Sequence, residues 1–272
     1  MAWPLKITLT LVVAVLLGCA TFIGYWAGSG GRWFIVESPS MGTAAPVGTL
    51  LWVKPVPYHS LHAGDFIVFH PPGSSQTFSH RVYAVNANGT VTTKGDINGA
   101  PDPWQLHASN VVGQVSMRWW DMGWLVRAAP ILVIGALALW VLVTKFTPPK
   151  YRLPLTTVGA ALLIAGSSYI LKPLVRAVKI SFVPVAHGAR ATYVSTGLLP
   201  LHLSMRGGKY VDLNDGTVGS LLVTKVDRYG HYPVALTPHL SIWFWLVLVL
   251  IGFLPVFYSL IVGLPSGENT DV

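Results

Sequence analysis

Long uncharged apolar stretches alternate along this chain with segments of shorter, mixed apolar and polar runs. A transmembrane helix needs about 17–25 predominantly apolar residues. Four uncharged stretches reach that length, the second and third only just. They cover residues 7–31, 128–144, 153–171 and 240–267. The pattern therefore predicts a multi-pass α-helical membrane protein.

The segment between the first two stretches has the pattern of a β domain. Short runs rich in β-branched and aromatic residues alternate there with turn residues. Asn88-Gly89 is a strong hairpin signal because both residues tolerate positive φ. We expect a mostly β domain whose strands cover residues 33–37, 49–54, 65–69, 81–85, 90–94 and 111–117.

A second polar segment, residues 180–238, predicts a smaller β-rich module. Strand-like pieces at 191–195 and 220–226 flank a turn-rich centre at 212–216. Its residues form no recognisable catalytic or ligand-binding pattern. We interpret this module as a packing or docking appendage.

Composition and charge favour a membrane protein and exclude several classes of soluble protein. Only 10% of residues are charged and 52% are hydrophobic, whereas soluble domains carry about 25% charged residues. The net charge of +8 is scattered and forms no basic run, so we expect contact with anionic lipid rather than nucleic acid. The single cysteine excludes an intramolecular disulfide. No metal-ligand cluster or phosphate loop is evident, and we predict no metal and no cofactor.

The β domain contains residue types that suit nucleophilic catalysis. A serine hydroxyl needs a base to accept its proton, and histidine, with an ordinary pKa of about 6.5, is neutral yet basic at pH 7. A carboxylate would then hold the imidazole in the correct tautomer. The candidate bases are His59, His62, His70, His80, His107, Lys54 and Lys94. The candidate carboxylates are Asp65, Asp96 and Asp102.

Four short motifs follow one another through this domain. They are Ser38-Pro39-Ser40-Met41, Gly64-Asp65-Phe66, Ser79-His80-Arg81-Val82, and Gly95-Asp96-Ile97-Asn98 followed by Asp102. In this order and at this spacing, residues 7–120 resemble the type I signal peptidases. One such motif would be weak evidence, whereas four in register are strong evidence.

The resemblance implies a role for each site residue. Ser40 matches the nucleophile, His80 the general base and Asp102 the aspartate of a triad. Most bacterial members have lysine in place of His80, so the chain is similar to the endoplasmic reticulum and archaeal branch. Asp96 occupies the other carboxylate position of the same motif, and which carboxylate orients His80 stays open. Ser38 matches the hydroxyl that joins the backbone N–H of Ser40 in the oxyanion hole.

One motif departs from the family pattern. The usual Ser-Met-Glu-Pro is Ser-Met-Gly-Thr at residues 40–43. The nucleophile is retained, but the turn after it is built differently, which puts the shape of the substrate pocket in question.

The resemblance implies a serine endopeptidase that removes signal peptides from exported preproteins at the outer membrane–water interface. Small residues are expected at positions −3 and −1 of the scissile bond. The expected partners are preprotein substrates, the lipid bilayer and the secretion machinery, with no nucleic acid. Two alternatives stay open: a processing protease dedicated to a few exported proteins, and a non-catalytic membrane scaffold.

These expectations give a domain organisation in the cell membrane, with the catalytic domain extracytoplasmic. The predicted regions are an N-terminal transmembrane anchor (1–31), the β catalytic domain (32–123), a transmembrane helix (124–147), a cytoplasmic connector (148–154), a transmembrane helix (155–172), the second extracytoplasmic module (173–239), a transmembrane helix (240–264) and a cytoplasmic tail (265–272).

Overall fold

The chain forms two compact units, Met1–Gly123 and Trp124–Val272. The structure, a computed structural model, describes residues 20–205, 209–224, 234–247 and 249–250, together with residues 14, 17, 18, 253 and 257. These residues contain twelve β-strands in three sheets and two long helices whose ends are both described.

The first unit is built around one six-stranded sheet with the strand order β1-β2-β6-β3-β4-β5. Every neighbouring pair in this sheet is antiparallel. The strands are β1 (Arg32–Ile35), β2 (Leu50–Lys54), β3 (Phe66–Phe69), β4 (Phe78–Val85), β5 (Val91–Lys94) and β6 (Val111–Trp119). Each strand overlaps one of the six predicted runs, and Asn88-Gly89 lies in the turn between β4 and β5.

Strand β3 is buried on both of its faces. Successive side chains of a strand point to opposite faces, and here Phe66 and Val68 join one core cluster while Ile67 and Phe69 join another. Ile67 is paired with His80 of β4. The strand that carries His80 therefore lies against a neighbour that is fixed by packing on two sides.

The second unit contains two three-stranded sheets, β11-β8-β7 and β10-β9-β12. Their strands are β7 (Ala177–Val185), β8 (Gly188–Ser195), β9 (Leu201–Met205), β10 (Tyr210–Leu213), β11 (Val218–Val223) and β12 (Val234–Pro238). Leu201 and Leu203 of one sheet and Leu221 and Val223 of the other belong to the same core cluster. The two sheets therefore share one hydrophobic core. The predicted strand piece 191–195 lies within β8, and the piece 220–226 overlaps β11, with residues 225–226 outside the described residues.

The two long helices are α1 (Met122–Phe146) and α2 (Pro149–Leu171). The connector between them is shorter than the predicted 148–154, because α2 begins at Pro149. Proline suits the first position of a helix, where its missing N–H would have no intrahelical partner. Lys150 and Arg152 therefore lie in the first turn of α2.

Helices α1 and α2 are long and apolar enough to cross a membrane, and they are the two candidates among the described residues. The predicted fold class, a multi-pass α-helical membrane protein, is wrong for the described part of the chain, where β-sheets predominate. Hydropathy measures the affinity of a segment for lipid. The fold class depends instead on which backbone segments form hydrogen bonds with one another. About half of each predicted helix, at 1–31 and 240–264, lies outside the described residues, and the tail at 265–272 lies entirely outside them. Residues 20–28 and 242–247 are helical.

Candidate active site

Ser40 lies in a short 3-10 helix, Pro39–Ala44, that follows strand β1. Met41 and Ala45 are almost fully buried and belong to the core cluster that also contains Phe66 and Val68. Their burial fixes this loop against the sheet. The half-buried side chain of Ser40 is therefore held by the core beneath it.

The turn after Ser40 depends on glycine. Gly42 has φ 52° and ψ −132°, a conformation that strains any residue with a Cβ. The family pattern has glutamate at this position. The glycine that departs from this pattern therefore adopts backbone angles beside Ser40 that would strain a glutamate.

His80 lies in strand β4 and contacts both Ser40 and Asp102. Its Nε2 is 2.9 Å from Ser40 Oγ, and its Nδ1 is 2.6 Å from Asp102 Oδ2. His80 is only 4% exposed, and the rings of Phe69 and Phe78 meet the imidazole edge-on, each with centroids 6.1 Å away. The imidazole thus has one nitrogen for the hydroxyl and the other for the carboxylate.

Asp102 is held in place by strand β5. Its backbone N–H donates to the carbonyl oxygen of Thr93 over 2.8 Å. The hydroxyl of Thr93 donates to Asp102 Oδ2 over 2.6 Å. The sequence motifs indicate no role for Thr93, although the alternation of β5 places this residue on its buried face.

Asp96, the other carboxylate of the same motif, binds Arg81 instead of His80. Its two oxygens accept from Arg81 Nε at 2.9 Å and Nη2 at 2.7 Å. Hydrogen bonding to Asp96 raises the pKa of the Arg81 guanidinium. Because neighbouring residues of a strand point to opposite faces, Arg81 and His80 reach different carboxylates.

Asp65, the third candidate carboxylate, supports the turn before β3. Its oxygens accept the backbone N–H of His62 and the side-chain amide of Gln114, each over 2.8 Å. This pattern is typical of a structural aspartate.

The other candidate bases contact groups outside the Ser40–His80–Asp102 chain or lie at the surface. Lys94 Nζ lies 5.9 Å from the ring centroid of Tyr83, and Lys54 Nζ lies 5.0 Å from that of Trp26. His70 Nδ1 is 3.2 Å from the carbonyl oxygen of Gln76. The remaining candidate bases, His59, His62 and His107, are exposed.

Ser38 lies directly beside the hydroxyl of Ser40. The two Oγ atoms are 3.2 Å apart, and the side chain of Ser38 is exposed. A second hydroxyl at this distance can donate to an oxygen of a molecule bound at Ser40.

The segment Gly95–Asn98 holds the backbone of Ser40. The N–H of Ile97 donates to the carbonyl oxygen of Ser40 over 3.0 Å. A Cβ placed on Gly95 would lie 2.8 Å from that same oxygen. Glycine therefore permits a close approach that the sequence motif did not explain.

The comparisons with known proteins assign no relative. No protein-family model matches the chain, and no curated protein matches it. Across the described residues, no group of three or more His, Cys, Asp or Glu side chains is arranged to hold a metal ion.

Proposed function

We propose that this protein is a membrane-bound serine endopeptidase that removes signal peptides from exported precursor proteins. The observation that carries the proposal is the hydrogen-bonded chain Ser40–His80–Asp102, with distances of 2.9 and 2.6 Å. The ordered resemblance of the surrounding motifs to the type I signal peptidases supports the choice of substrate. The motif that contains His80 is similar to the branch of that family that has histidine at this position.

The first half of the reaction forms an acyl-enzyme. Ser40 Oγ attacks the carbonyl carbon of the scissile peptide bond while its proton passes to His80 Nε2. Asp102 holds the Nδ1–H of the imidazole and stabilises the imidazolium that forms. The imidazolium then donates its proton to the departing amide nitrogen. The C–N bond breaks, and the signal peptide remains esterified to Ser40.

The second half restores the serine. A water molecule gives a proton to His80 Nε2 and attacks the ester carbon. The imidazolium returns a proton to Ser40 Oγ as the ester bond breaks. The signal peptide leaves with a free carboxylate, and no cofactor is needed to balance the reaction.

The oxyanion formed in both halves needs donors that are already in position. The exposed hydroxyl of Ser38 and the backbone N–H of Ser40 are the proposed donors. A single oxyanion donor is worth about 2.7–4 kcal/mol of activation free energy.

The proposed site of action is the extracytoplasmic side of the cell membrane. Helix α1 follows strand β6 after a short turn, so the chain passes directly from the catalytic sheet into a segment that is apolar enough for lipid. A signal peptide brings its own apolar segment to the same surface. The proposed partners are therefore precursor proteins, the lipid bilayer and the secretion machinery.

The proposal is tested by cleavage of a membrane-presented precursor by the detergent-purified full chain. We expect a mature product whose N-terminus follows a small residue. A precursor with a bulky residue at position −1 serves as the control and should stay intact. Equal cleavage of both precursors, or none of any precursor in a broad panel, would refute the proposal.

A second candidate function is processing of a narrow set of exported proteins. The observation that favours it is the positive φ of Gly42, because a different backbone path beside Ser40 changes the wall against which the substrate lies. The rates measured on several unrelated precursors separate the two functions. Similar rates support a general peptidase, and cleavage of one precursor alone supports a dedicated enzyme.

Replacing Gly95 by alanine should weaken catalysis without removing any reacting group. The new Cβ would lie 2.8 Å from the carbonyl oxygen of Ser40 and 2.7 Å from Asn98 Nδ2, so the backbones of Ser40 and residue 95 must move apart. A shift of about 1 Å in a reacting group can cost on the order of 100-fold in rate. We expect kcat to fall by about 10- to 100-fold, measured on the same precursor.

Gly99→Ala is the matched control for Gly95→Ala, because a Cβ on Gly99 meets no atom within 4 Å. This control should retain the wild-type rate. If Gly95→Ala were equally active, the contact with Ser40 would have no influence on the nucleophile.

A further inference from the structure

We infer that Thr93 is a positioning residue that sets the orientation of the Asp102 carboxylate toward His80. The inference rests on the proposed function, in which Asp102 orients the base. Thr93 is fully buried in strand β5, and its hydroxyl donates to Asp102 Oδ2 over 2.6 Å.

The hydroxyl of Thr93 and the imidazole of His80 share one carboxylate oxygen. His80 Nδ1 also lies 2.6 Å from Asp102 Oδ2. The terminal torsion of an aspartate is broad and roughly two-fold, so a carboxylate held by His80 alone can turn. With Thr93 on the same oxygen, turning would break two hydrogen bonds at once. The pair of donors therefore selects one orientation of the carboxylate.

Thr93 holds Asp102 through its backbone as well as through its side chain. The carbonyl oxygen of Thr93 accepts the N–H of Asp102 over 2.8 Å. The position of the Asp102 backbone is thus tied to the same residue that orients the carboxylate. A movement of β5 would carry both contacts with it.

Trp104 also contacts the Thr93 hydroxyl. Its indole N–H points to Thr93 Oγ1 in a long contact of 3.4 Å, which favours the rotamer in which the hydroxyl proton points to Asp102. The ring of Trp104 also meets Phe78 edge-on with centroids 5.4 Å apart, and Phe78 lies against His80. The rings of Trp104 and Phe78 keep water away from the Thr93–Asp102–His80 hydrogen bonds. Such bonds are electrostatically stronger in the protein interior than in water.

The first test compares Thr93→Val, which has the shape of threonine without its hydroxyl, with Thr93→Ser, which keeps the hydroxyl. The full chain is assayed in detergent on a membrane-presented precursor. Loss of one hydrogen bond to a charged group corresponds to about a tenfold loss in rate. We expect kcat to fall by about that factor in Thr93→Val with KM unchanged, and Thr93→Ser to recover most of the loss.

Thr92→Val is the matched control. Thr92 is the neighbouring residue of β5, and its hydroxyl accepts a hydrogen bond from Asn86 Nδ2 over 3.0 Å. Removing this hydroxyl leaves the Asp102 contacts intact and should leave kcat unchanged. A wild-type kcat in Thr93→Val, or an equal loss in Thr92→Val, would overturn the inference.

A spectroscopic measurement tests the inference even if no precursor is cleaved. In the full chain labelled with ¹⁵N-histidine, the proton on His80 Nδ1 should give a downfield resonance that disappears in Asp102→Asn. We expect this resonance to weaken or shift in Thr93→Val and to persist in Thr93→Ser and Thr92→Val. An unchanged resonance in Thr93→Val would overturn the role of Thr93, whereas failure of wild-type cleavage alone would overturn only the proposed function.

Discussion

Replacing either Ser40 or His80 by alanine is expected to abolish precursor cleavage. In the proposed mechanism the nucleophile and its base act as one unit, and losing either member of such a pair costs about 10⁶-fold in kcat. The 2.9 Å separation of Ser40 Oγ from His80 Nε2 is the contact that makes them a unit. For the same reason, the double variant should be no less active than either single variant. Single-turnover cleavage of a membrane-presented precursor measures all three.

Two substitutions of the same residue types provide the controls. Ser60→Ala removes a hydroxyl that donates to the carbonyl oxygen of Pro57, and His62→Ala removes an exposed imidazole. Both should cleave at the wild-type rate. Cleavage by Ser40→Ala or His80→Ala at that rate would show that another nucleophile or base performs the reaction.

Asp102→Asn is expected to lower kcat by about 10⁴-fold, the scale of loss when an imidazole is left in the wrong tautomer. An asparagine amide can present an N–H to His80 Nδ1, which then carries no proton, and Nε2 loses its ability to accept the proton of Ser40. The imidazolium also loses the charge that stabilises it. The measurement is kcat on the same precursor, with circular dichroism to show that the variant is folded.

Asp96→Asn is the matched comparison, since it makes the same change at the other carboxylate of the motif. It weakens an ion pair with Arg81 that is partly exposed, and such pairs contribute only about 0–1 kcal/mol. We expect a small effect on kcat. If Asp96→Asn were the more damaging of the two, the assignment of Asp102 as the partner of His80 would be wrong.

The candidate site assembles residues that lie far apart in the chain. Ser40 and His80 are separated by 40 positions, and His80 and Asp102 by 22. Ser40 stands in the loop after β1, His80 in β4, and Asp102 after β5. Pairing of β4 with β3 and β5 brings the imidazole and the carboxylate together, and burial of Met41 brings the serine to them.

Several features of this protein follow from the sequence alone. The six strands of the first unit overlap the predicted runs because β-branched and aromatic residues favour strands and turn residues end them. Asn88-Gly89 predicts its turn because glycine readily adopts positive φ, and Gly89 has φ 77° there. The candidate residues Ser40, His80 and Asp102 could be named before the structure, through a resemblance of ordered motifs.

Only the tertiary structure decided the contacts among those residues. The motif contains both Asp96 and Asp102, and the sequence could not choose between them, because the choice depends on which face of β4 each carboxylate meets. Thr93 and Gly95 have no distinctive signal in the sequence, since their importance comes from what lies opposite them in space. The fold class was predicted wrongly because it was inferred from hydropathy. Hydropathy measures the affinity of a segment for lipid and does not show which backbone segments pair. Local patterns determine strands and turns, whereas contacts between distant residues exist only once the sheet has formed.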